Sequence, residues 1–144
     1  MYDATLVPTD GSDAAVAAVN DALEVTASDG TIHALGVLED IPMYSTSGTP
    51  ARDESDTAGD RERLSASVDR IVEAAAAAGI ESETAIEDGV PAHEIVGYAD
   101  EAGVDAIVMG KRSARDAAGD LLGSTTERVI QKAQTPVIAV PVGE

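Results

Sequence analysis

The chain reads as an α/β protein, an open five-stranded parallel sheet with helices on both faces, for which strand order 3-2-1-4-5 is the usual winding. Three observations predict it. Strand-like apolar runs and helix-spaced runs alternate strictly along the 144 residues, and such alternation forms a parallel sheet with right-handed crossovers. Hydrophobic residues make up 44%, enough for one proper core in a single domain of this length. Aromatic residues make up 2%, with three Tyr and neither Phe nor Trp. Ala, Val, Ile and Leu therefore fill the core, which suits thin helices lying close on a buried sheet.

The elements follow in order. Thr5-Leu6-Val7 is a short strand, ended by Pro8-Thr9-Asp10-Gly11. Ser12 or Asp13 caps an alanine-rich helix in which Val16, Val19, Leu23 and Val25 keep helical spacing, and Asp29-Gly30 stops it. Thr31 to Leu38 is nearly continuously apolar, a strand buried on both faces. From Glu39 to Gly59 the pattern dissolves into Ser, Thr, Gly, Pro and Asp, and the reading there is a flexible loop. Helical spacing resumes from Asp60 to Ala78, with Leu64, Val68, Ile71 and Val72 on one face and Gly79 as the stop.

Ile80 to Ile86 alternates weakly, as an edge strand does. Gly89-Val90-Pro91 opens a helix through Ile95, Val96 and Ala99 to Gly103. Val104 to Met109 is the fourth strand, Ser124 to Ala133 the last helix, and Val137 to Val142 the last strand after Thr135-Pro136. No internal repeat or second domain is visible, so residues 1–144 read as one domain.

Charge narrows the function. The formal net charge is −18 and the pI about 4.1, which repels free nucleic acid. Self-repulsion on that scale destabilises a compact chain in dilute buffer, and salt at 1 M relieves it by cutting the Debye length to about 3 Å. Lys111 and Lys132 are the only lysines among nine cations. That composition resembles the proteins of salt-in halophiles and predicts a halophilic setting, with a merely acidic mesophilic protein as the second reading. No apolar stretch approaches the length of a membrane span, and the start lacks the basic region and cleavage site of a leader. With no cysteine there is no disulfide framework or thiolate metal site. A cytoplasmic location is the expectation.

In open parallel sheets, ligands bind beyond the carboxyl ends of the strands, where the winding reverses. For five strands in this order the reversal falls at the first, so Asp10 and the loop after Gly110 meet at one crevice if strands one and four are neighbours. Asp10 then accepts from ribose hydroxyls or orients a metal beside a phosphate. Gly110 lets backbone approach the ligand. Ser124 caps the following helix while Glu127 reaches back, and the exposed amides of that helix start form an anion site. Lys111, Arg112 and Arg115 offset the negative field around a phosphate.

Plainer readings stand beside these. A capping box also starts an ordinary helix, and the three cations also fit a solvated loop paired with Asp116 and Asp120. His33 reads as a packed or hydrogen-bonded strand residue and His93 as exposed, with no credible zinc site between them. Asp13 is explained by capping. Glu87-Asp88 matches a phosphoacceptor site poorly, and no Gly-Lys-Ser/Thr phosphate loop exists.

Assembled, these residues resemble the universal stress protein family nearly end to end. The resemblance is carried by Leu6-Val7-Pro8-Thr9-Asp10-Gly11-Ser12, Gly89-Val90-Pro91, Gly103-Val104-Asp105-Ala106-Ile107-Val108-Met109-Gly110 and Thr135-Pro136-Val137-Ile138. ATP-binding members carry Gly, two residues, Gly, nine residues, then Gly-Ser or Gly-Thr. Here the spacing is kept as Gly110, Ser113 and Gly123-Ser124, with Ser113 in place of the second glycine. Where positive φ is needed, that serine costs about 1 kcal/mol or more.

The resemblance implies a Rossmann-like fold of the adenine nucleotide alpha hydrolase type, with Pro8, Thr9 and Asp10 near adenine and ribose and Val37 lining the base. It places Met109, Gly110, Ser113, Gly123, Ser124 and Thr125 around ribose and phosphates, where Lys111 and Arg112 add counter-charge. The implied ligand is ATP, or AMP or ADP, with Mg2+ as its accompanying ion. A homodimer through Val137 to Val142 is implied as well. The expected role is a stress-response module with no catalytic residue, slow ATP hydrolysis through Asp10 and Mg2+ being the most it would do. The alternative is a nucleotide-free dimeric interaction module whose phosphate loop is remodelled by Ser113.

Overall fold

The computed structural model describes residues 1–11, 14–39, 54–111 and 124–141. Its elements are β1 (Tyr2–Thr9), α1 (Ala14–Val25), β2 (Thr26–Glu39), α2 (Glu54–Ala77), β3 (Glu81–Gly89), α3 (Pro91–Ala102), β4 (Ala106–Lys111), α4 (Ser124–Lys132) and β5 (Val137–Pro141). The sheet is parallel, as the alternation predicts, and in the expected order β3-β2-β1-β4-β5.

Crossover handedness distributes the helices. The chain moves outward from β1 to β3 and then returns past β1 to β4 and β5, so the two pairs of crossovers fall on opposite faces. On one face Val7, Ile32, Ala34 and Val108 pack with Ala15, Ala18, Val19 and Ala22 of α1 and Val68, Ile71 and Ala75 of α2. On the other, Leu6, Leu35, Val37, Ile107 and Met109 pack with Ala92, Ile95 and Ala99 of α3 and Val129 of α4. The buried residues of the two core layers are aliphatic apart from Met109, with half-buried Tyr98 packed against the second, and alanine supplies most of the helical side of the α1 contact. Val16, which keeps helical spacing with the apolar residues of α1, is exposed instead.

Several boundaries differ from those the sequence suggests. Asp29-Gly30 does not end α1. The helix ends at Val25 because the Thr26 hydroxyl donates to the Ala22 carbonyl at 2.6 Å, satisfying an orphan acceptor of the last turn. With its own hydrogen so used, Thr26 accepts from the buried Thr5 hydroxyl at 2.8 Å. Gly30 is a strand residue, where a Cβ would stand 2.6 Å from the Asp3 carbonyl oxygen. α2 begins at Glu54, inside the stretch read as loop, because its first turns carry too few apolar residues to show a period. Residues 40–53 lie outside the described residues. β1 starts at Tyr2 and β3 runs to Gly89, both beyond their apolar runs. α3 has Pro91 in its first turn with no side-chain cap, and Gly103 closes it at φ 69°.

Both edges of the sheet fall where expected, with β3 on one side and β5 on the other. At the amino ends of β1 and β4 the Asp105 carboxylate accepts from the amides of Asp3 and Ala4, both at 3.1 Å, while its own amide donates to the Ala4 carbonyl at 2.8 Å. That end of the central strand pair is stapled.

Candidate functional site

The carboxyl ends of the same two strands behave differently. β1 and β4 pair at Thr5↔Ala106 and Leu6↔Ile107. Beyond that point β1 continues with β2 to Thr9↔Gly36, and β4 with β5 to Lys111↔Pro141. Each central strand keeps its outer neighbour while the ladder between them stops, which leaves a crevice at the winding reversal.

Strand alternation sorts the side chains around it. Val37 and Met109 are buried in the α3/α4 layer, and Pro8, two residues on from Leu6 and also buried, belongs to the same face. Thr9 lies on the other face. Its hydroxyl meets the hydroxyl of Ser67 on α2 at 2.6 Å and accepts from the Gly11 amide at 3.0 Å. Asp10 is exposed at the turn between them. Gly11 holds φ +93°, with the α2 backbone at Arg63 and Leu64 3.6 to 3.7 Å from where a Cβ would stand.

On the β4 side, Gly110 is half-buried and its carbonyl accepts from the Thr126 hydroxyl at 3.1 Å. Thr126 is the third residue of α4, so this bond ties the helix start to the strand end. Thr125 is half-buried beside it. Lys111 ends β4 and Ser124 begins α4, and Arg112, Ser113 and Gly123 lie outside the described residues.

The residues present suit an adenine nucleotide. An apolar floor of Pro8, Val37 and Met109 matches a base. A carboxylate at Asp10 matches hydroxyl donors. The start of α4, tied to the end of β4 by the Thr126 hydroxyl, matches an anion. Among the described residues, no group of three or more His, Asp or Glu stands ready to hold a metal ion, and no helix is long and apolar enough to cross a membrane.

Two residues that matter here were not singled out from sequence. Thr126 sits in a Ser-Thr-Thr run where nothing distinguishes one hydroxyl from the next. Ser67 did carry a signal: it lies three residues after Leu64 and four before Ile71, a polar group on the buried face of α2. His33 is buried, with Nδ1 2.9 Å from the Tyr98 hydroxyl and the rings edge-on at 5.6 Å. It is a hydrogen-bonded strand residue, as the sequence suggested, and His93 is exposed.

The model of the universal stress protein family matches residues 1–141. Universal stress protein MJ0531 of Methanocaldococcus jannaschii is 32% identical over 143 residues, 97% of this chain and 82% of that protein. The solved structure of protein MJ0577 from the same organism superposes with a TM-score of 0.81 at 28% identity, covering 100% of this chain and 99% of that one. A universal stress protein crystallised in complex with cAMP shares the fold at a TM-score of 0.65 and 24% identity, covering 97% of each chain.

Proposed function

Because the chain belongs to the universal stress protein family, we propose that it binds an adenine nucleotide, ATP in particular, between the carboxyl ends of β1 and β4. The adenine lies on Pro8, Val37 and Met109, the ribose hydroxyls donate to Asp10, and the phosphates meet the amides at the start of α4. The bond from Thr126 to Gly110 carries this reading, because it holds the helix start at the mouth of the crevice. The relative solved with cAMP supports the ligand class. Mg2+ would enter on the phosphates, with Asp10 the carboxylate best placed to meet it.

The protein acts as a stress-response module rather than as a catalyst. It works as a homodimer through β5, an edge strand paired on one side with β4 and bearing half-buried Val137, Ile138 and Ala139. Its net charge of −18 suits a salt-rich cytoplasm.

Calorimetric titration with Mg-ATP in molar KCl tests the reading. Saturable binding is expected, and ligand at a hundred times its dissociation constant adds about 2.7 kcal/mol, raising Tm by about 5–10 °C in a domain of this size. A folded protein with no saturable signal overturns it. A Ser113→Gly variant that gained binding would then assign the chain to the nucleotide-free, dimeric class.

A further inference from the structure

We infer that Ser67 is a positioning residue for ribose recognition: its bond to Thr9 sets the turn that carries Asp10. The inference rests on the nucleotide reading above and brings α2 into the site.

Ser67 cannot touch a ligand in the crevice, being 1% exposed beneath α2. What it touches is Thr9, itself 6% exposed, with the two hydroxyl oxygens 2.6 Å apart. The same Thr9 oxygen accepts from the amide of Gly11, two residues on, at 3.0 Å. Asp10 is therefore enclosed in a turn closed by a hydroxyl rather than by a backbone carbonyl.

Turns of this kind are held weakly, and a threonine hydroxyl has more than one staggered position open to it. The second bond, from Ser67, selects the position that closes the turn. Gly11 completes the bracket: its φ of +93° is one that other residues rarely adopt, and it lies against the α2 backbone at Arg63 and Leu64. Both neighbours of Asp10 are thus referenced to α2, and the backbone that carries the carboxylate is set against that helix.

The sequence position strengthens the argument. Ser67 stands on the face of α2 that otherwise buries Leu64, Val68 and Ile71. Alanine would favour the helix more, and a buried hydroxyl is unfavourable unless bonded. Serine at this place is accounted for by its partner on β1, 58 residues earlier.

The test compares ATP with 2′,3′-dideoxy-ATP by calorimetry in molar KCl. Wild type is expected to prefer ATP, and Asp10→Asn to lose that preference. Ser67→Ala should reduce ATP affinity by about three- to tenfold, the worth of one hydrogen bond, while dideoxy-ATP affinity holds. Ser67→Thr should restore the preference. Urea unfolding verifies that each variant is folded, and Thr9→Val supplies the same comparison should Ser67→Ala fail to fold. An unchanged preference in the folded variant overturns the role of Ser67 alone. A wild type that binds both ligands equally overturns it together with the ribose role of Asp10. Binding of neither ligand overturns the nucleotide reading itself.

Discussion

The hydroxyl of Thr126 donates to the carbonyl of Gly110 at 3.1 Å, joining residues 16 positions apart at the two ends of the segment between β4 and α4. The bond fixes where the helix start stands relative to the strand end. Its donor side is buried, Thr126 being 3% exposed, while Gly110 is half-buried.

Replacing that hydroxyl by a methyl, as Thr126→Val, should lower stability by about 1 kcal/mol. If the helix start receives phosphates, the variant should also lose more affinity for ATP than for adenosine. Titration of both ligands measures the difference, and equal losses would assign the bond to the fold alone.

Two glycines give opposite expectations. Gly30→Ala places a Cβ 2.6 Å from the Asp3 carbonyl oxygen, a backbone atom that cannot step aside without moving β1. The expected loss is about 1–3 kcal/mol. Gly97→Ala, inside α3, meets nothing within 4 Å and should gain about 0.5–1 kcal/mol. Urea midpoints of the two variants should bracket the wild type.

Burial raises the phenol of Tyr98 above its ordinary value, and the carboxylates of Glu83 and Glu87 push it the same way. The folded state thus favours the neutral phenol. Its contribution to stability is present below the unfolded value near 10 and is lost as pH rises through the higher folded value. Between pH 9 and 12, wild type should lose more stability than Tyr98→Phe, for which this ionisation is absent. Parallel unfolding curves for the two proteins would contradict that assignment.

A net charge of −18 on 144 residues should make stability strongly dependent on salt. Tm should climb from dilute buffer and level off near 1 M KCl, where the Debye length is about 3 Å. Thermal melts across a KCl series measure this, and a flat response would show that the acidic groups are too dispersed to repel.

Much of this architecture was legible before any coordinates. The nine alternating elements, the edge position of the Ile80–Ile86 run and the aliphatic core follow from local pattern, because a strand or helix announces itself through the spacing of its own apolar residues. The neighbourhood of β1 and β4 was an expectation from the usual winding of five-stranded sheets of this kind, and the strand pairing bears it out. Where apolar spacing fell silent, the reading failed. The first turns of α2 from Glu54 went unseen, and Asp29-Gly30 looked like a helix stop although Thr26 had already closed α1.

The sequence by itself determined the fold class and the acidic composition, which rest on patterns within single elements and on residue counts, and its motifs identified the family. Only the tertiary structure decided that Thr9 pairs with Ser67, that Thr126 bonds to Gly110, that Asp105 staples β1 to β4, and that the β1–β4 ladder stops at Leu6 and Ile107. A hydroxyl or a carboxylate has no periodicity. Its role is set by the partner that packing brings within 3 Å or so, and for Thr9, Thr126 and Asp105 that partner comes from another part of the fold.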